Sequence, residues 1–220
     1  MLFANRAVAG RLLAHRLTRY ANRHDVVVLG IARGGVPVGF EVAEDLDAPL
    51  DAFVVRKIGL PGQEELAIGA IASGGIMVTN DSLLERLAVP RSVVHALAAE
   101  ARLELARREH IYRNGRPLVS IEGRIAVIVD DGLATGTSMI AAVRAVREMM
   151  PRRIVVAVAV AAPESLPALW RDADEVIYVA TPQPFNAVSV WYDHFGPTSD
   201  DEVCHLLQLS AEHAMAAIVN

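Results

Sequence analysis

The chain has 220 residues, of which 53% are hydrophobic, and a formal net charge of −5. This length and apolar fraction indicate a folded core and exclude a disordered chain. Acids and bases are mixed along the sequence, so it lacks the basic stripe with which nucleic-acid binders neutralise phosphates. We therefore expect no nucleic-acid partner.

Nothing near the amino terminus predicts export or insertion into a membrane. Arg6, Arg11 and Arg16 interrupt the first residues, which therefore lack the apolar centre of a signal peptide. No apolar run reaches the roughly 18 residues that a membrane span requires. Cys204 is the only cysteine, which excludes a disulfide within the chain and a cysteine-based zinc site. We expect a cytoplasmic protein with no membrane partner.

The first part of the chain predicts the start of a βαβ unit. Apolar residues at helical spacing predict an amphipathic helix over residues 3–22. A β-branched run predicts a buried strand over 25–31, and it is followed by a glycine turn at 32–35 and a helix over 36–46. The next apolar run predicts a strand over 50–57.

The middle of the chain predicts a loop, a hairpin and a long helix. Residues 59–65 are polar and glycine-bearing, as mobile loops are, and residues 66–79 predict a hairpin around Gly74 and Gly75. Residues 91–114 carry a helical pattern. The remaining elements are strand 124–130, helix 138–150, strand 153–161, helix 164–172, strand 175–180 and helix 200–218.

Apolar strands that alternate with amphipathic helices predict an α/β fold with a mostly parallel sheet and helices on both faces. No repeat or linker divides the sequence, so we expect residues 1–220 to form a single domain. Ligands bind such folds at the carboxyl ends of the strands. Polar or glycine-bearing loops that follow strands should therefore converge on one edge. These loops are residues 32–35, 56–62, 130–138 and 180–186.

The segment IAVIVDDGLATGTSM, residues 125–139, joins an acid pair to a loop of glycine and hydroxyl residues. Unpaired amides and the positive end of a helix dipole favour an anion there. Carboxylates instead accept hydrogen bonds from sugar hydroxyls and hold magnesium, partly through water. A ribose 5-phosphate has both of these ends. The predicted phosphate-binding residues are Gly132, Leu133, Ala134, Thr135, Gly136, Thr137 and Ser138.

This loop differs from the GxxxxGK[ST] loop of nucleoside triphosphate binders, because it has one residue too few and no lysine. Four apolar residues, two acids and GLATGTS instead resemble the 5-phosphoribosyl 1-pyrophosphate (PRPP) motif of type I phosphoribosyltransferases. The order of strands and loops extends the resemblance over most of the chain. It implies a flexible-loop hairpin, a small hood, and magnesium-dependent transfer of a phosphoribosyl group from PRPP to a purine, pyrimidine or related nitrogenous acceptor.

The resemblance also assigns roles to residues. Asp130 and Asp131 would orient the ribose and hold Mg²⁺, directly or through water. The loop after the first strand would bind pyrophosphate through backbone amides, often around a cis peptide; a simple turn with a solvent-facing arginine is the alternative. Its residues are Ala32, Arg33, Gly34 and Gly35. The predicted catalytic residues are Arg33, Arg56, Lys57, Asp130 and Asp131.

Arg56 and Lys57 end the second predicted strand, and adjacent strand residues point to opposite faces. We expect one of them to reach the pyrophosphate and keep both as candidates. Residues 58–80 correspond in position to the flexible loop of the family. Glu64 and Glu65 lie in it, where a solvated, charged loop is favoured over a catalytic role.

The loop after the last strand, residues 181–195, corresponds to the hood over the acceptor. The resemblance implies that Phe185 stacks on the acceptor and that the backbone of Ala187 and Val188 reads its edge. Trp191 and Tyr192 are also open to a core role. The Ser-Tyr pair and the base-reading lysine of purine-salvage relatives are missing, so the acceptor stays open.

Two other functions stay open at this stage. A sensor or regulatory protein would bind PRPP without turnover, and a hydrolase or phosphorylase acting on a phosphorylated sugar would use a similar anion site. The apolar helices predicted at both ends of the chain leave surface that a second copy could share, as in a homodimer.

Overall fold

The structure, a computed structural model, describes residues 2–60 and 62–219; of residues 64, 65 and 214–219 it describes the backbone. Its strands are β1 (Val26–Ile31), β2 (Leu50–Phe53), β3 (Val55–Leu60), β4 (Gln63–Ala72), β5 (Ile76–Thr79), β6 (Ile125–Leu133), β7 (Arg153–Ala161) and β8 (Glu175–Ala180). Its α-helices are α1 (Arg6–Ala14), α2 (Gly35–Leu46), α3 (Asp81–Arg86), α4 (Arg91–Arg113), α5 (Thr137–Glu148), α6 (Leu166–Asp172) and α7 (Asp200–Val219). Short 3₁₀ turns lie at Thr18–Tyr20, Ser73–Gly75, Pro163–Ser165 and Val188–Trp191.

The main sheet has five parallel strands in the order β2-β1-β6-β7-β8. Its apolar side chains alternate between two faces, as in any strand. On β6, Ile128 packs in the cluster under α5 and α6, whereas Val127 and Val129 pack in the cluster under α1 and α2. Helices thus cover both faces, and the predicted fold class is confirmed.

The prediction of one strand over residues 50–57 is wrong, because the chain changes sheets at Val54. β2 pairs with β1 in the main sheet, while β3 pairs with β4 in a small antiparallel sheet of order β3-β4-β5. At the junction, Val54 N donates to Ser73 Oγ and Ser73 N donates to Val54 O, both at 2.9 Å. The apolar run is continuous, so the sequence pattern does not show where the hydrogen-bond partners change.

The small sheet also corrects the loop predicted at residues 59–65. Most of these residues belong to β3 and β4, which form a hairpin with Leu60 opposite Gln63. The hairpin predicted over 66–79 is confirmed as β4 and β5 joined at Ser73–Gly75. The described residues of segment 58–80 thus belong largely to the strands of the small sheet, which packs against both α4 and α5.

The helix predicted over 3–22 is shorter than expected. Asn5 caps α1, since its Oδ1 accepts a hydrogen bond from Val8 N at 2.9 Å. Residues before this cap leave the helix because Phe3 bridges to Tyr192 instead. α3 was not predicted. Among the helices of the described residues, none has the length and hydropathy needed to cross a membrane.

Candidate active site

The turn between β6 and α5 presents unpaired backbone amides. β6 continues past its predicted end because Gly132 and Leu133 pair with β7. α5 begins at Thr137, and Gly136 precedes it with a φ of +71°, a conformation that favours glycine. The first helical hydrogen bond runs from Ile140 N to Gly136 O at 2.9 Å. The amides of the first three helical residues precede it, and no side chain in the described part of the protein caps them.

Hydroxyl groups stand beside these amides. Thr135 Oγ1 and Thr137 Oγ1 lie 3.2 Å apart, and both side chains are exposed. Free amides, two hydroxyls and the positive end of a helix dipole together suit a phosphate group. The residues predicted for that role, 132–138, all lie in this turn or directly beside it, and we call them the phosphate turn.

The two acids at the end of β6 have different surroundings. Asp131 is buried, and its Oδ2 accepts a hydrogen bond from Arg6 Nε at 2.8 Å. Asp130 is half-buried and has no cationic partner in the described part of the chain. Its Oδ1 accepts only from the backbone amide of Asp131, at 2.9 Å. Asp130 therefore keeps a carboxylate oxygen for a ligand, while Asp131 is already paired.

Burial raises the pKa of the Asp130 carboxyl well above its ordinary value, and the neighbouring Asp131 adds to this rise. Burial also raises the pKa of Asp131, although the hydrogen bond from Arg6 opposes the rise. Both acids therefore take up a proton more readily than an exposed aspartate. Asp130 does so more strongly, because no arginine bonds to it.

Arg6 connects the acid pair to the segment that follows β8. Besides Asp131, its guanidinium donates to Gly196 O at 2.7 Å and lies 4.0 Å from the centre of the Phe195 ring. Tyr192 OH donates to Asp131 O at 2.6 Å. Arg6 has no sequence signal that marks it as a site residue, because 125 positions separate it from Asp131 and no motif surrounds it.

The loop of residues 32–35 packs directly against the acids. Its Ala32–Arg33 peptide is cis, as the resemblance implied. A Cβ on Gly34 would overlap the Asp131 carboxylate, and one on Gly35 would lie 2.5 Å from Val129 O. Only glycine lets the loop approach β6 this closely, so its backbone lies beside the acid pair at the end of β6.

The Arg33 side chain leaves this loop towards α7. It is 45% exposed, and its Nη1 lies 3.8 Å from Asp200 Oδ1. Tyr112 OH donates to the same carboxylate oxygen at 2.6 Å. Arg33 is thus accessible to a ligand and held only by a long, exposed ion pair.

The structure places Lys57 and Arg56 on opposite faces of β3. Both are exposed, but Lys57 lines a cavity of about 580 Å³ with Thr135 and Thr137. Val55, two positions earlier and on the same face of β3, packs in the cluster under α5. Arg56 shares its face with Ile58, which packs under α4. Lys57 is therefore the candidate that the fold brings to the phosphate turn. The side chains of residues 64 and 65 lie outside the described part of the chain.

The hood contacts the phosphate turn through Val188. A Cβ on Gly132 would lie 2.5 Å from Val188 Cγ1. Phe185 is half-buried, and its ring centre lies 6.3 Å from that of Trp191. Ala187, also half-buried, precedes the turn that contains Val188. The three predicted acceptor residues therefore lie in one segment beside β6.

Tyr192 belongs to the core, which is one of the two roles, hood or core, that the sequence left open for it. It is 4% exposed, and its ring centre lies 5.1 Å from that of Phe3 and 4.9 Å from that of Phe195. Backbone hydrogen bonds also join the hood to the amino-terminal segment; one runs from Asp193 N to Phe3 O at 2.9 Å. The amino-terminal segment thus holds the hood in place.

The acid pair suits magnesium better than a metal bound by protein alone. Among the side chains that the structure describes, no group of three or more His, Cys, Asp or Glu could form a metal centre. Mg²⁺ commonly uses one or two carboxylates and takes its other ligands from water and substrate phosphates. The free oxygen of Asp130 fits that pattern.

Comparisons with known proteins place the chain in a family. A family model described as "Phosphoribosyl transferase domain" matches residues 2–180. Two Mycobacterium tuberculosis proteins, "Putative phosphoribosyl transferase MT0597" and "Putative phosphoribosyl transferase Rv0571c", are each 45% identical over 206 residues. The match covers 94% of this chain and 46% of theirs, so the chain spans about half the length of these curated relatives.

Solved structures agree in fold. The crystal structure of TT1426 from Thermus thermophilus has a TM-score of 0.85 and 43% identity, covering 94% of this chain and 98% of that one. AQ2163 from Aquifex aeolicus has a TM-score of 0.50 at 15% identity, covering 82% of this chain and 74% of that one, and shares the fold alone. With a family model matched over most of its length, the chain belongs to the phosphoribosyltransferase family.

Proposed function

We propose that the chain transfers the 5-phosphoribosyl group of PRPP to a nitrogenous acceptor and releases pyrophosphate. One observation carries this proposal: the free amides of α5, the open carboxylate of Asp130 and the glycine loop 32–35 meet at the carboxyl end of β6. These groups match the phosphate, the ribose hydroxyls and the pyrophosphate of a single substrate.

Each part of PRPP then has a binding partner. The amides at the start of α5, with Thr135 and Thr137, would hold the 5-phosphate. Asp130 would accept hydrogen bonds from the ribose hydroxyls. The backbone of loop 32–35 would bind pyrophosphate, with Arg33 and Lys57 supplying positive charge to its oxygens.

The reaction breaks the bond between ribose C1 and the pyrophosphate oxygen, and the electron pair leaves with pyrophosphate. The acceptor nitrogen uses its lone pair to form the new bond to C1 and then loses its proton. Arg33 and Lys57 stabilise the charge that develops on pyrophosphate. Asp130 is a suitable proton acceptor because its carboxylate keeps an oxygen without a cationic partner in the described part of the chain, and burial raises its pKa, which makes it a stronger base. The remaining contribution of the protein is to align the two reactants.

We further propose that Mg²⁺ takes part, with Asp130 and Asp131 holding it directly or through water. When bound, the ion supplies positive charge beside the pyrophosphate and the ribose hydroxyls. For Asp131 the water-mediated contact is favoured, since Arg6 already occupies its Oδ2.

The acceptor would lie between the hood and β6. The Phe185 ring offers a stacking surface, and stacking of a base on an aromatic ring contributes about 1–3 kcal/mol. The backbone of Ala187 and Val188 would read the edge of the acceptor. This site favours flat, nitrogenous acceptors such as purine or pyrimidine bases.

A second candidate is a sensor that binds PRPP without turnover. The observation that favours it is the Arg6–Asp131 pair, which leaves one acid of the two free for ligand. The curated relatives are about twice as long as this chain. The activity and partners of a whole protein of that length therefore stay proposals.

The test is pyrophosphate release from PRPP with a panel of purine and pyrimidine bases, with and without magnesium. We expect release only when an acceptor and magnesium are both present. The Asp130→Asn/Asp131→Asn variant should lose PRPP binding, whereas the control Asp45→Asn/Asp47→Asn, which removes two exposed acids of α2 and its cap, should not.

The other outcomes are also informative. PRPP binding without turnover across the panel supports the sensor, and release of ribose 5-phosphate without an acceptor supports a hydrolase. A wild-type protein that does not bind PRPP contradicts both the transferase and the sensor.

A further inference from the structure

A groove runs along α5, starting at the phosphate turn. We call it the α5 groove. It is a cavity of about 240 Å³ between α5, α6 and the small sheet. Its polar and charged lining residues are Lys57, Thr79, Asn80, Thr137, Arg144 and Arg171.

The α5 groove is continuous with the cavity that contains the phosphate turn. The two share Lys57, Asn80 and Thr137, and the second cavity adds Thr135 and Arg86. A phosphate at the start of α5 would therefore lie where the two meet. The groove extends from that phosphate along the helix, beyond the groups that PRPP requires.

The charged side chains described on this continuous surface are all cations. Four cations line it, whereas no carboxylate does among the described side chains, in a chain whose net charge is −5. Arg144 Nε donates to Asp172 Oδ2 at 2.7 Å. The other three, Lys57, Arg86 and Arg171, are exposed and make no ion pair within the described residues. Unpaired cations without an opposing acid favour an anionic ligand.

The dimensions favour a slender ligand. Thr137 and Arg144 are seven residues apart on α5, which at 1.5 Å per residue is about 10 Å. Small side chains line the space between the cations, among them Ala67, Ala141 and Ala168. The groove therefore suits a narrow chain of several anionic groups.

We propose that the α5 groove binds a linear polyphosphate chain, either free or attached to a nucleoside. One phosphate would occupy the start of α5, and the next would extend along the groove between Lys57, Arg144 and Arg171. The inference rests on the proposed function in one respect, since that helix start is the 5-phosphate position of the PRPP site. A polyphosphate bound there would therefore compete with PRPP.

The test is calorimetric titration with inorganic orthophosphate, pyrophosphate and tripolyphosphate. We expect tripolyphosphate to bind the wild type about tenfold or more tightly than orthophosphate. Arg144→Gln/Arg171→Gln removes two cations that line the groove and not the cavity of the phosphate turn. It should remove most of that difference and change PRPP affinity by less than about threefold. The matched control is Arg16→Gln/Arg91→Gln, which removes two exposed, unpaired arginines elsewhere and should have no effect.

A second probe, adenosine 5′-triphosphate, distinguishes the two sources of the chain. Binding tighter than that of tripolyphosphate identifies a nucleoside-linked ligand, and weaker binding identifies a free chain. Affinity that does not rise with chain length, or that the groove variant leaves intact, overturns the proposal. If the wild type fails to bind PRPP but binds tripolyphosphate through Arg144 and Arg171, the proposed function fails and the groove assignment stands.

Discussion

At the scale of single residues, Asp130 and Asp131 are neighbours with separate tasks. Asp131 bonds to Arg6, and its backbone carbonyl accepts from Tyr192 OH. It therefore joins β6 to the hood. Asp130 keeps a carboxylate oxygen without a cationic partner in the described part of the chain. The sequence presents the two acids as one pair, whereas the fold gives them different partners, and only Asp130 stays open to the proposed ligand.

The raised pKa of Asp130 predicts that this carboxyl group destabilises the fold at neutral pH. The folded pKa lies above the unfolded value, so the folded state binds the proton more tightly, and the free energy of unfolding falls as pH rises through this interval. Asp130→Asn should reduce this dependence, to which the raised pKa of Asp131 also contributes, and should raise the free energy of unfolding near pH 7 by about 0.5–2 kcal/mol. Urea unfolding at acidic and neutral pH measures both effects. A variant no more stable than wild type at neutral pH would contradict the assignment.

Arg6 should contribute strongly to stability. Arg6→Met leaves the buried Asp131 carboxylate without its partner, and breaking a buried pair costs about 3–5 kcal/mol. The matched control is Arg11→Met. Arg11 lies on the same helix as Arg6 and forms an exposed ion pair with Glu41, so its removal should change stability far less. Thermal unfolding compares the two. The double variant Arg6→Met/Asp131→Asn should recover part of the loss; no recovery would show that the pair does not carry the effect.

At the scale of elements, the close approach of loop 32–35 to β6 makes a prediction about glycine. Gly34→Ala would place a methyl group on the Asp131 carboxylate, so the loop must move away from the acids. We expect PRPP affinity to fall by about tenfold or more and stability by about 1–3 kcal/mol. Gly196→Ala is the control, because its Cβ would meet no atom within 4 Å. Equal effects from the two substitutions would argue against a role for this loop in the site.

Local signals explain which elements the sequence could predict. β6, the phosphate turn and α5 are contiguous in sequence. An apolar run, two acids and a positive-φ glycine therefore mark them without help from the rest of the chain. The break between β2 and β3 has no local mark, since it depends on Val54 bonding to Ser73. Arg6 was missed for the same reason: its partners become neighbours only when the chain folds.

At the scale of the whole molecule, Arg113 connects α4 to both sheets. It is 5% exposed; its Nε donates to Asp51 Oδ1 at 2.9 Å, and its Nη2 donates to Ala52 O at 2.7 Å and to Ser73 Oγ at 3.3 Å. Asp51 and Ala52 lie on β2, whereas Ser73 lies between β4 and β5. The small sheet is thereby held against the main sheet.

Removing this connection should destabilise the protein without changing the site. Arg113→Met leaves Asp51 buried and unpaired, which costs about 3–5 kcal/mol. PRPP affinity of the folded fraction should stay within about twofold. Arg107→Met, which removes an exposed pair with Glu104 on the same helix, is the control and should leave stability nearly unchanged. Denaturant unfolding with parallel PRPP titration tests both parts, and equal stability of the two variants would contradict them.

The sequence predicts less well whether the chain assembles with a second copy. The apolar side of α1, expected to be open to a partner subunit, packs within the chain: Leu13 and Ala14 belong to the cluster under α2. A homodimer and a single domain over residues 1–220 stay predictions.

The most direct test of the central claim is a crystal structure of the protein with ribose 5-phosphate. We predict that the phosphate lies at the start of α5, on the amides after Gly136 and the hydroxyls of Thr135 and Thr137, with the ribose hydroxyls against Asp130. A sugar phosphate bound elsewhere, with that turn empty and Asp130 without a ligand contact, would contradict the account.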